Sequence, residues 1–231
     1  MTLWILIGVI FLISLIINKR LKSKMKRYST VAINHGLTGK DIAEKMLREN
    51  GISDVAVVST SGELTDHYNP VNKTINLSRE VYQGSNVTAA AIAAHECGHA
   101  LQHAHGYAPL KLRSSLVPIQ NVSARILNMI FFAMIFGTFI LPQFINYQLA
   151  LYIIVACYSV FTAFAFITLP VEINASNRAL AWLSNAGITQ YGTDEKAQDA
   201  LKWAAYTYVV AALSSLVMLL YYVAQLIGID D

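Results

Sequence analysis

The sequence predicts a membrane α-helical fold with four transmembrane helices and a small α+β domain between the first two of them. Hydrophobic residues make up 55% of the 231 residues and charged residues 13%, a balance that favours a membrane protein over a soluble one. The apolar residues are also concentrated in long runs, and a transmembrane helix needs about 20 of them. The four runs close to or above this length are residues 3–17, 126–141, 149–169 and 203–227.

The first run is predicted to be a transmembrane anchor (residues 1–18) and not a cleaved signal peptide. No Lys or Arg precedes it, a basic cluster follows it, and no small-x-small cleavage site is evident. The cluster consists of Lys19, Arg20, Lys22, Lys24, Lys26 and Arg27. Because Lys and Arg accumulate on the cytosolic side of membranes, we expect the N-terminus outside and the cluster in the cytosol.

The remaining basic residues predict the rest of the topology of a multi-pass cell-membrane protein. Fourteen of the 17 Lys and Arg residues lie between Lys19 and Arg125, and none lies in the segment 142–148. The other three are Arg178, Lys196 and Lys202. Since basic segments stay in the cytosol, we expect loop 143–148 to be external. The predicted segments after the anchor are a cytosolic domain at 19–125, a transmembrane hairpin at 126–169, a cytosolic helix at 170–202 and a transmembrane helix at 203–227.

The domain between the first two spans has the signals of a small α+β unit. Residues 38–41 (Thr-Gly-Lys-Asp) resemble a capping box, and the helix that follows is predicted to end at Asn50-Gly51. Val55 to Val58 suits a strand, residues 67–73 carry turn signals, and Thr74 to Leu77 alternates like a half-exposed strand. With fewer than about 100 residues, this domain must pack against the neighbouring helices to complete its core.

An H-E-x-x-H motif lies in the same domain, at His95, Glu96 and His99. The Ala-rich segment 89–94 before it favours a helix, which places the two histidines one turn apart on one face, within reach of one metal ion. Glu96 points to one side, where it can hold a metal-bound water. Candidate N-caps for this helix are Ser85, Asn86 and Thr88. The motif predicts a zinc hydrolase site.

A catalytic zinc needs a third protein ligand, and Glu172 is the favoured candidate. A helix beginning after Pro170 would place Glu172 on one face with small residues, which would let it pack closely against the motif helix. His105 has the offset of the third histidine of metzincins, but Gln102 occupies the position where that pattern needs glycine. His103 is about 12 Å along the helix from His95, too far to bind the same ion.

Three segments of the chain together resemble the bacterial membrane neutral zinc metallopeptidases, a family similar in plan to the HtpX-like and CAAX prenyl endopeptidases. The segments are 94–107, 169–180 and 67–70. The resemblance implies a zincin-like catalytic domain in which His95, His99 and Glu172 bind Zn²⁺ and Glu96 is the general base. Relatives tend to carry an aspartate near the third ligand to orient a histidine. Here Asn174 and Ser176 occupy the nearby positions.

The predicted function is therefore a zinc metalloendopeptidase at the cytosolic membrane face, acting on protein or peptide substrates. Membrane proteins or their cytosolic tails are candidate substrates. The strand Thr74 to Leu77 could pair with an extended substrate, or it could be an ordinary sheet edge. Nucleic acid is not expected as a partner. Further candidates for contacts around the metal or with substrate are Asn174, Ser176, Arg178, His67 and His103.

Two other functions are compatible with parts of the sequence. A non-catalytic membrane scaffold with structural zinc would need a fourth ligand from His105, His67 or Cys97, although Cys97 is predicted to be a small packing residue on the far side of the helix. A transporter is disfavoured because the last three apolar runs contain no Asp, Glu, Lys, Arg or His.

Overall fold

Helices dominate this computed structural model, which describes residues 2–140 and 146–228. A three-stranded sheet is inserted between the first two helices and the helix of the H-E-x-x-H motif. In chain order the elements are α1 (Thr2–Tyr28), α2 (Gly39–Glu49), β1 (Ala56–Thr60), β2 (His67–Asn69), β3 (Thr74–Ser78), α3 (Arg79–Gln83), α4 (Val87–Ala104), α5 (Ala108–Ile140), α6 (Tyr147–Asn185) and α7 (Asp194–Leu226).

Four of these helices, α1, α5, α6 and α7, are long and apolar enough to cross a membrane. The mostly helical fold with four candidate spans and a small sheet confirms the predicted membrane fold class in outline. Residues 141–145, which belong to the predicted external loop, lie outside the described part of the chain. The helices extend well beyond the apolar runs. For example, α1 continues through the basic cluster, and α5 begins shortly after the motif helix.

The cytosol-predicted end of α1 is fastened to α7 by polar contacts. Lys24 Nζ forms an ion pair with Asp199 Oδ2 at 2.8 Å, and the Tyr28 hydroxyl donates to the same oxygen at 2.5 Å. Tyr28 is also one of the buried residues of the core. The basic segment of α1 is thus part of the folded structure as well as a topology signal.

The structure corrects the expectation that a new helix begins after Pro170. Instead, α6 runs without a break from Tyr147 to Asn185 with Pro170 inside it. Proline removes one backbone donor, but helices in membranes tolerate this where their neighbours compensate. Val171, next to the proline, is completely buried, so packing holds the helix together at this point. Glu172 is therefore carried on the third candidate span and does not cap a helix.

The sheet also differs from the prediction. Its order is β1-β3-β2, with β3 parallel to β1 and antiparallel to β2. Thr74 to Leu77 is thus the central strand and cannot add a substrate strand, because both of its edges are paired. Residues 67–69, predicted as part of a turn, form the edge strand β2, and the turn is confined to residues 70–73. Ile75 and Leu77 are completely buried, which explains why β3 occupies the centre.

The core of the α+β unit is shared with the long helices. The predicted capping box begins α2, with Thr38 and Asp41 bonded to each other's backbone, and Ile42 and Met46 of α2 are completely buried. The same cluster of buried residues includes Leu183 of α6 and residues of α4 and α7. A domain of this size gains its core in this way, by packing against α4 and the two spans.

Candidate metal centre

The motif helix α4 positions both histidines. Of the three candidate N-caps, Asn86 is the cap, and its side chain accepts a hydrogen bond from Ala89 N. The residues from Ala89 to Ala94 are almost fully buried, so α4 runs through the middle of the protein. The rings of His95 and His99 lie edge to face with centroids 4.8 Å apart, as expected for residues one turn apart on a helix.

Glu172 reaches the histidines because α4 and α6 approach very closely. A Cβ atom at Gly98 would lie 2.6 Å from the carbonyl oxygen of Ala175, closer than any side chain permits. Ala175 and Ala179, on the facing side of α6, have no exposed surface. The missing side chain at Gly98 and the small alanines opposite therefore set the distance at which Glu172 faces the motif.

The three side chains form a group that fits a metal ion. Glu172 Oε2 lies 3.3 Å from His95 Nε2 and 3.4 Å from His99 Nε2, and one ligand atom from each residue lies within 4.8 Å of the other two. Ligands of a tetrahedral ion with bonds of about 2.0–2.1 Å are separated by about 3.3–3.4 Å. Oε2 is buried and has no hydrogen-bond partner in the described structure. Two imidazole nitrogens and a carboxylate oxygen suit zinc with three protein ligands.

A chain of amides orients His99. Gln102 Nε2 donates to Val171 O at 2.8 Å and to Asn174 Oδ1 at 3.0 Å, which leaves Gln102 Oε1 as the acceptor beside His99 Nδ1 at 3.1 Å. Because an amide oxygen only accepts, this contact assigns the proton to Nδ1 of His99. The lone pair of Nε2 is then free to face Glu172, as a metal ligand requires.

Two further side chains hold the other members of the group. Ser176 Oγ lies 3.1 Å from His95 Nδ1, where it can accept the proton that leaves Nε2 free. Arg113 of α5 contacts Glu172 Oε1 at 3.2 Å, so the guanidinium engages one carboxylate oxygen and the other faces the histidines. Of the two residues at the expected aspartate position, Ser176 thus contacts a histidine directly and Asn174 acts on His99 through Gln102.

Glu96 lies apart from this group. Its Oε2 accepts a hydrogen bond of 2.9 Å from Tyr68 N in the edge strand β2, and the side chain is almost buried. This contact holds the Glu96 carboxylate at β2, and the role of Glu96 as general base stays a prediction.

Burial and neighbouring charges act on two titratable groups of the site. Burial opposes protonation of His99, but the contact with the Glu172 carboxylate outweighs it and raises the pKa of His99 above 6.5. Burial also raises the pKa of Asp66, and the nearby Glu96 carboxylate raises it further. The hydrogen bond of 2.7 Å that Ser78 N donates to Asp66 acts in the opposite direction and lowers this pKa.

The other candidate residues lie around the group without joining it. His103 Nδ1 contacts the Tyr68 hydroxyl at 2.8 Å, and His67 Nδ1 lies 2.8 Å from Thr65 O. Arg178 donates to Asn174 Oδ1 at 2.8 Å and approaches His105 Nδ1, which lies at the C-terminal cap of α4. The Cys97 thiol is buried and donates to Ala43 O at 3.5 Å, which agrees with its interpretation as a packing residue.

A cleft of about 270 Å³ opens in front of the candidate metal centre. One side is the edge strand β2 with its flanking residues, another is the first three turns of α5, and α7 contributes a single tyrosine. The lining residues are Asp66, His67, Tyr68, Pro70, His95, Glu96, His99, Leu110, Arg113, Ser114, Val117, Glu172 and Tyr208.

Sequence reasoning missed four of the residues around the metal centre: Gln102, Asp66, Arg113 and Tyr208. Gln102 carried a usable signal, because it is three residues after His99 on the same face of an otherwise apolar helix. Arg113 and Tyr208 carried none, since only the packing of α5 and α7 brings them to Glu172.

Comparison with known proteins agrees with this geometry. Over residues 3–227 the chain matches the family described as "Putative neutral zinc metallopeptidase". It is 38% identical over 205 residues to the "Putative membrane protease YugP" of Bacillus subtilis (strain 168), which covers 88% of this chain and 87% of that protein. No solved structure is significantly similar. The resemblance predicted from the sequence is confirmed, zinc is the metal that the centre is expected to bind, and the chain belongs to the family of neutral zinc metallopeptidases.

Proposed function

We propose that this protein is a membrane-embedded zinc metalloendopeptidase that hydrolyses peptide bonds of protein substrates at the cytosolic membrane face. The observation that carries the proposal is the convergence of His95, His99 and Glu172 within 4.8 Å, beside Glu96, in an open cleft. Three protein ligands leave one coordination position for water, which is the arrangement of catalytic zinc sites and not of structural ones.

Glu96 is the general base in this proposal. Zinc held by His95, His99 and Glu172 would act as a Lewis acid that polarises a substrate carbonyl and lowers the pKa of water to about 7. The hydrogen bond from Tyr68 N occupies Oε2 of Glu96, so Oε1 is the oxygen that can take the proton of the attacking water. The carboxyl group then delivers this proton to the leaving amine, and Glu96 returns to its starting state.

The edge strand β2 is the proposed docking site for an extended substrate. It pairs with β3 on one side, and its residues His67 and Tyr68, together with the adjoining Pro70, line the cleft. An extended peptide can add to such an edge through its backbone, which would present a peptide bond to the metal centre with little dependence on sequence. This role passes to β2 from the strand Thr74–Leu77, which is central.

The metal centre lies level with the predicted boundary of the membrane. Glu172 is three residues beyond the apolar run 149–169 of α6, and Tyr208 is five residues into the run 203–227 of α7. With about 1.5 Å of rise per residue, both lie within about 8 Å of that boundary. Since the basic residues assign this end of the helices to the cytosol, proteins embedded in the membrane and their cytosolic tails are the substrates within reach.

The test is a comparison of wild-type protein with Glu96→Gln, purified in detergent or lipid. We expect Glu96→Gln to keep stoichiometric zinc and to lose hydrolysis of an unfolded protein such as β-casein by about 10²–10⁴-fold, the contribution of a general base. Metal content and cleavage rate are measured on the same preparations. Zinc loss in Glu96→Gln would show that Glu96 is a ligand. Zinc without cleavage by the wild type, on soluble and membrane substrates alike, would favour a non-catalytic zinc scaffold.

A further inference from the structure

Three exposed polar side chains lie on the part of α5 that is apolar enough to cross a membrane. They are Asn121, Arg125 and Asn128, called here the α5 stripe. In the described part of the chain none of the three has a hydrogen bond, an ion pair or another polar contact. Polar and charged groups inside a membrane are costly unless they are paired. A partner outside this chain is therefore needed.

The α5 stripe continues the wall of the metal cleft. With about 100° of rotation per residue, its three members and Ser114 fall within an arc of about 60° of the helix surface. Ser114 lines the cleft, whereas the buried residues of α5, Ser123 and Leu127, lie on a different face. The stripe and the cleft thus form one continuous surface that runs from the metal centre along α5 into the membrane.

Pro118 adds a hydrogen-bond acceptor to the same surface. Proline has no N–H, so the carbonyl oxygen of Ser114, four residues earlier, receives no helical hydrogen bond from it. This carbonyl, which lacks its usual i+4 donor, belongs to a cleft-lining residue between the metal centre and the stripe. It suits the backbone N–H of a polypeptide that passes along α5.

The depth of the stripe excludes lipid as its main partner. Asn128 lies 12 residues before Ile140, at the end of α5, and 20 residues after Ala108. These separations are about 18 Å and 30 Å along the helix, so Asn128 belongs to the membrane interior. Arg125 can extend its long side chain towards headgroups, but an asparagine amide is too short to do so. Acyl chains offer this amide no hydrogen bond.

A second copy of the chain is also a poor partner. Symmetric packing through this face would bring one Arg125 close to the other in a medium of low dielectric constant, where like charges repel strongly. A helix with polar or acidic side chains at the same depth would instead pair with the arginine and the two amides.

We propose that the α5 stripe is the docking face for a transmembrane segment of a membrane-protein substrate, with polar or acidic side chains at the depth of Arg125. The bound helix places the cytosolic chain that follows it along Ser114 and into the cleft. This inference rests on the proposed peptidase function and adds to it the surface that selects membrane-anchored substrates.

The test uses the full-length protein in proteoliposomes with two substrates. One is free β-casein, and the other is a casein segment fused to a polyleucine transmembrane helix with one central aspartate. The stripe variant carries Asn121→Leu, Arg125→Leu and Asn128→Leu. The matched control carries Ile119→Leu and Ile126→Leu, at exposed positions about 130–150° around α5 from the centre of the stripe.

We expect the stripe variant to cleave the anchored substrate on the order of tenfold more slowly than the wild type, because polar contacts between membrane helices are lost. Cleavage of free casein and zinc content should stay unchanged, and the control should match the wild type on both substrates. Replacing the aspartate of the anchor by leucine should slow the wild type and leave the stripe variant unaffected.

Equal cleavage of the anchored substrate by the stripe variant and the wild type would overturn the docking face while leaving the peptidase function intact. A dimeric wild type and a monomeric stripe variant with equal cleavage rates would assign the stripe to contact with a second copy. This result would also overturn the docking face. Failure of the wild type to cleave both free casein and the anchored substrate would instead remove the peptidase function, and this inference with it.

Discussion

Glu172 faces the two histidines from the interior of α6, so it keeps its predicted neighbours but not its predicted place in a helix. We expect Glu172→Ala to lower zinc affinity by more than about 100-fold, because it removes one of three ligands, whereas the loss of a supporting residue costs about 10–100-fold. His105→Ala should leave zinc affinity nearly unchanged, since His105 lies at the end of α4 beside Arg178. Titration of the purified variants with zinc in competition with a chelator measures both.

The reverse result, zinc loss in His105→Ala and retention in Glu172→Ala, would establish a metzincin-like site. It would require α4 to end before Gln102, whereas the helix continues to Ala104. A matched control is Gln102→Ala, which leaves all three ligands in place and frees the His99 ring. Its effect should fall between the two.

The contact between His99 and Glu172 also makes the metal-free protein sensitive to pH. The pKa of His99 is raised above 6.5, so the folded state binds a proton more tightly than the unfolded state does. This contribution to stability is fully present below pH 6.5 and is lost as the pH rises through the raised pKa. We therefore expect the Tm of the metal-free protein to fall as the pH rises above 6.5, and zinc affinity to increase over the same interval because the proton no longer competes.

Thermal unfolding of the chelated protein across this interval measures the effect. In Glu172→Gln a neutral amide replaces the carboxylate, so the pH dependence from His99 should largely disappear. An identical pH dependence in wild type and Glu172→Gln would contradict the assignment to this pair.

For individual residues, the sequence is informative where a short spacing determines the geometry. Residues i and i+4 of a helix share one face, so the positions of His95, Glu96 and His99 relative to each other follow from their numbers. The contact of Glu172 with the histidines depends on how closely its helix packs against the motif helix. The small residues that follow Glu172 in the sequence indicated such close packing. Arg113, 59 residues before Glu172, could not be found in this way, because nothing in the local sequence of α5 shows which residue of α6 it will contact.

Among the elements, the contact between α4 and α6 is the one on which the metal centre depends. We expect Gly98→Ala to destabilise the protein by about 1–3 kcal/mol, the usual cost of overpacking, and to lower its zinc content. The added Cβ would lie 2.6 Å from Ala175 O, so α6 must move away and carry Glu172 with it. Thermal unfolding and zinc content of the purified variant measure the two effects.

Gly8→Ala in α1 is the matched control, because a Cβ there has no neighbour within 4 Å. It should leave both measurements nearly unchanged. If Gly98→Ala retained both the stability and the zinc of the wild type, α4 and α6 would have to be separable without loss of the site.

Local signals predicted most elements but not their boundaries with the membrane helices. The capping box at Thr38 and the strand signals around Val57 and Ile75 identified α2, β1 and β3, because these features act within a few residues. The continuity of α6 through Pro170 could not be predicted, since it depends on burial of Val171 by other helices. The short β2 was hidden among turn residues and exists because it pairs with β3.

For the whole molecule, the lengths of the apolar runs predicted four spans, and the structure has four helices that meet the requirement. The way these helices share a core with the sheet was not predictable, because contacts distant in sequence determine it. The extent of α5, which begins at Ala108 beside the metal centre, was underestimated for the same reason. Polar residues in its first turns interrupt the apolar run without interrupting the helix.

The orientation of the whole molecule in the membrane yields the last prediction. We expect a cysteine at Ser61, in the loop between β1 and β2, to be protected from a membrane-impermeant thiol reagent added to intact cells, and a cysteine at Gln148 to be labelled. None of the 17 Lys and Arg residues lies in a segment assigned to the side opposite Ser61. Both positions are exposed on the protein surface, so accessibility reports the side of the membrane.

Gln148 is preferable to Asn146 as the external site, because Asn146 caps α6 by accepting from Leu149 N and its loss would weaken the helix end. The native Cys97 and Cys157 are both buried, so the background should be low. Labelling after permeabilisation is the control that both introduced thiols can react. If position 61 reacted in intact cells and position 148 did not, the metal centre would face outward. The proposed protease would then act on extracellular or envelope substrates, because its cleft opens on the same side as Ser61.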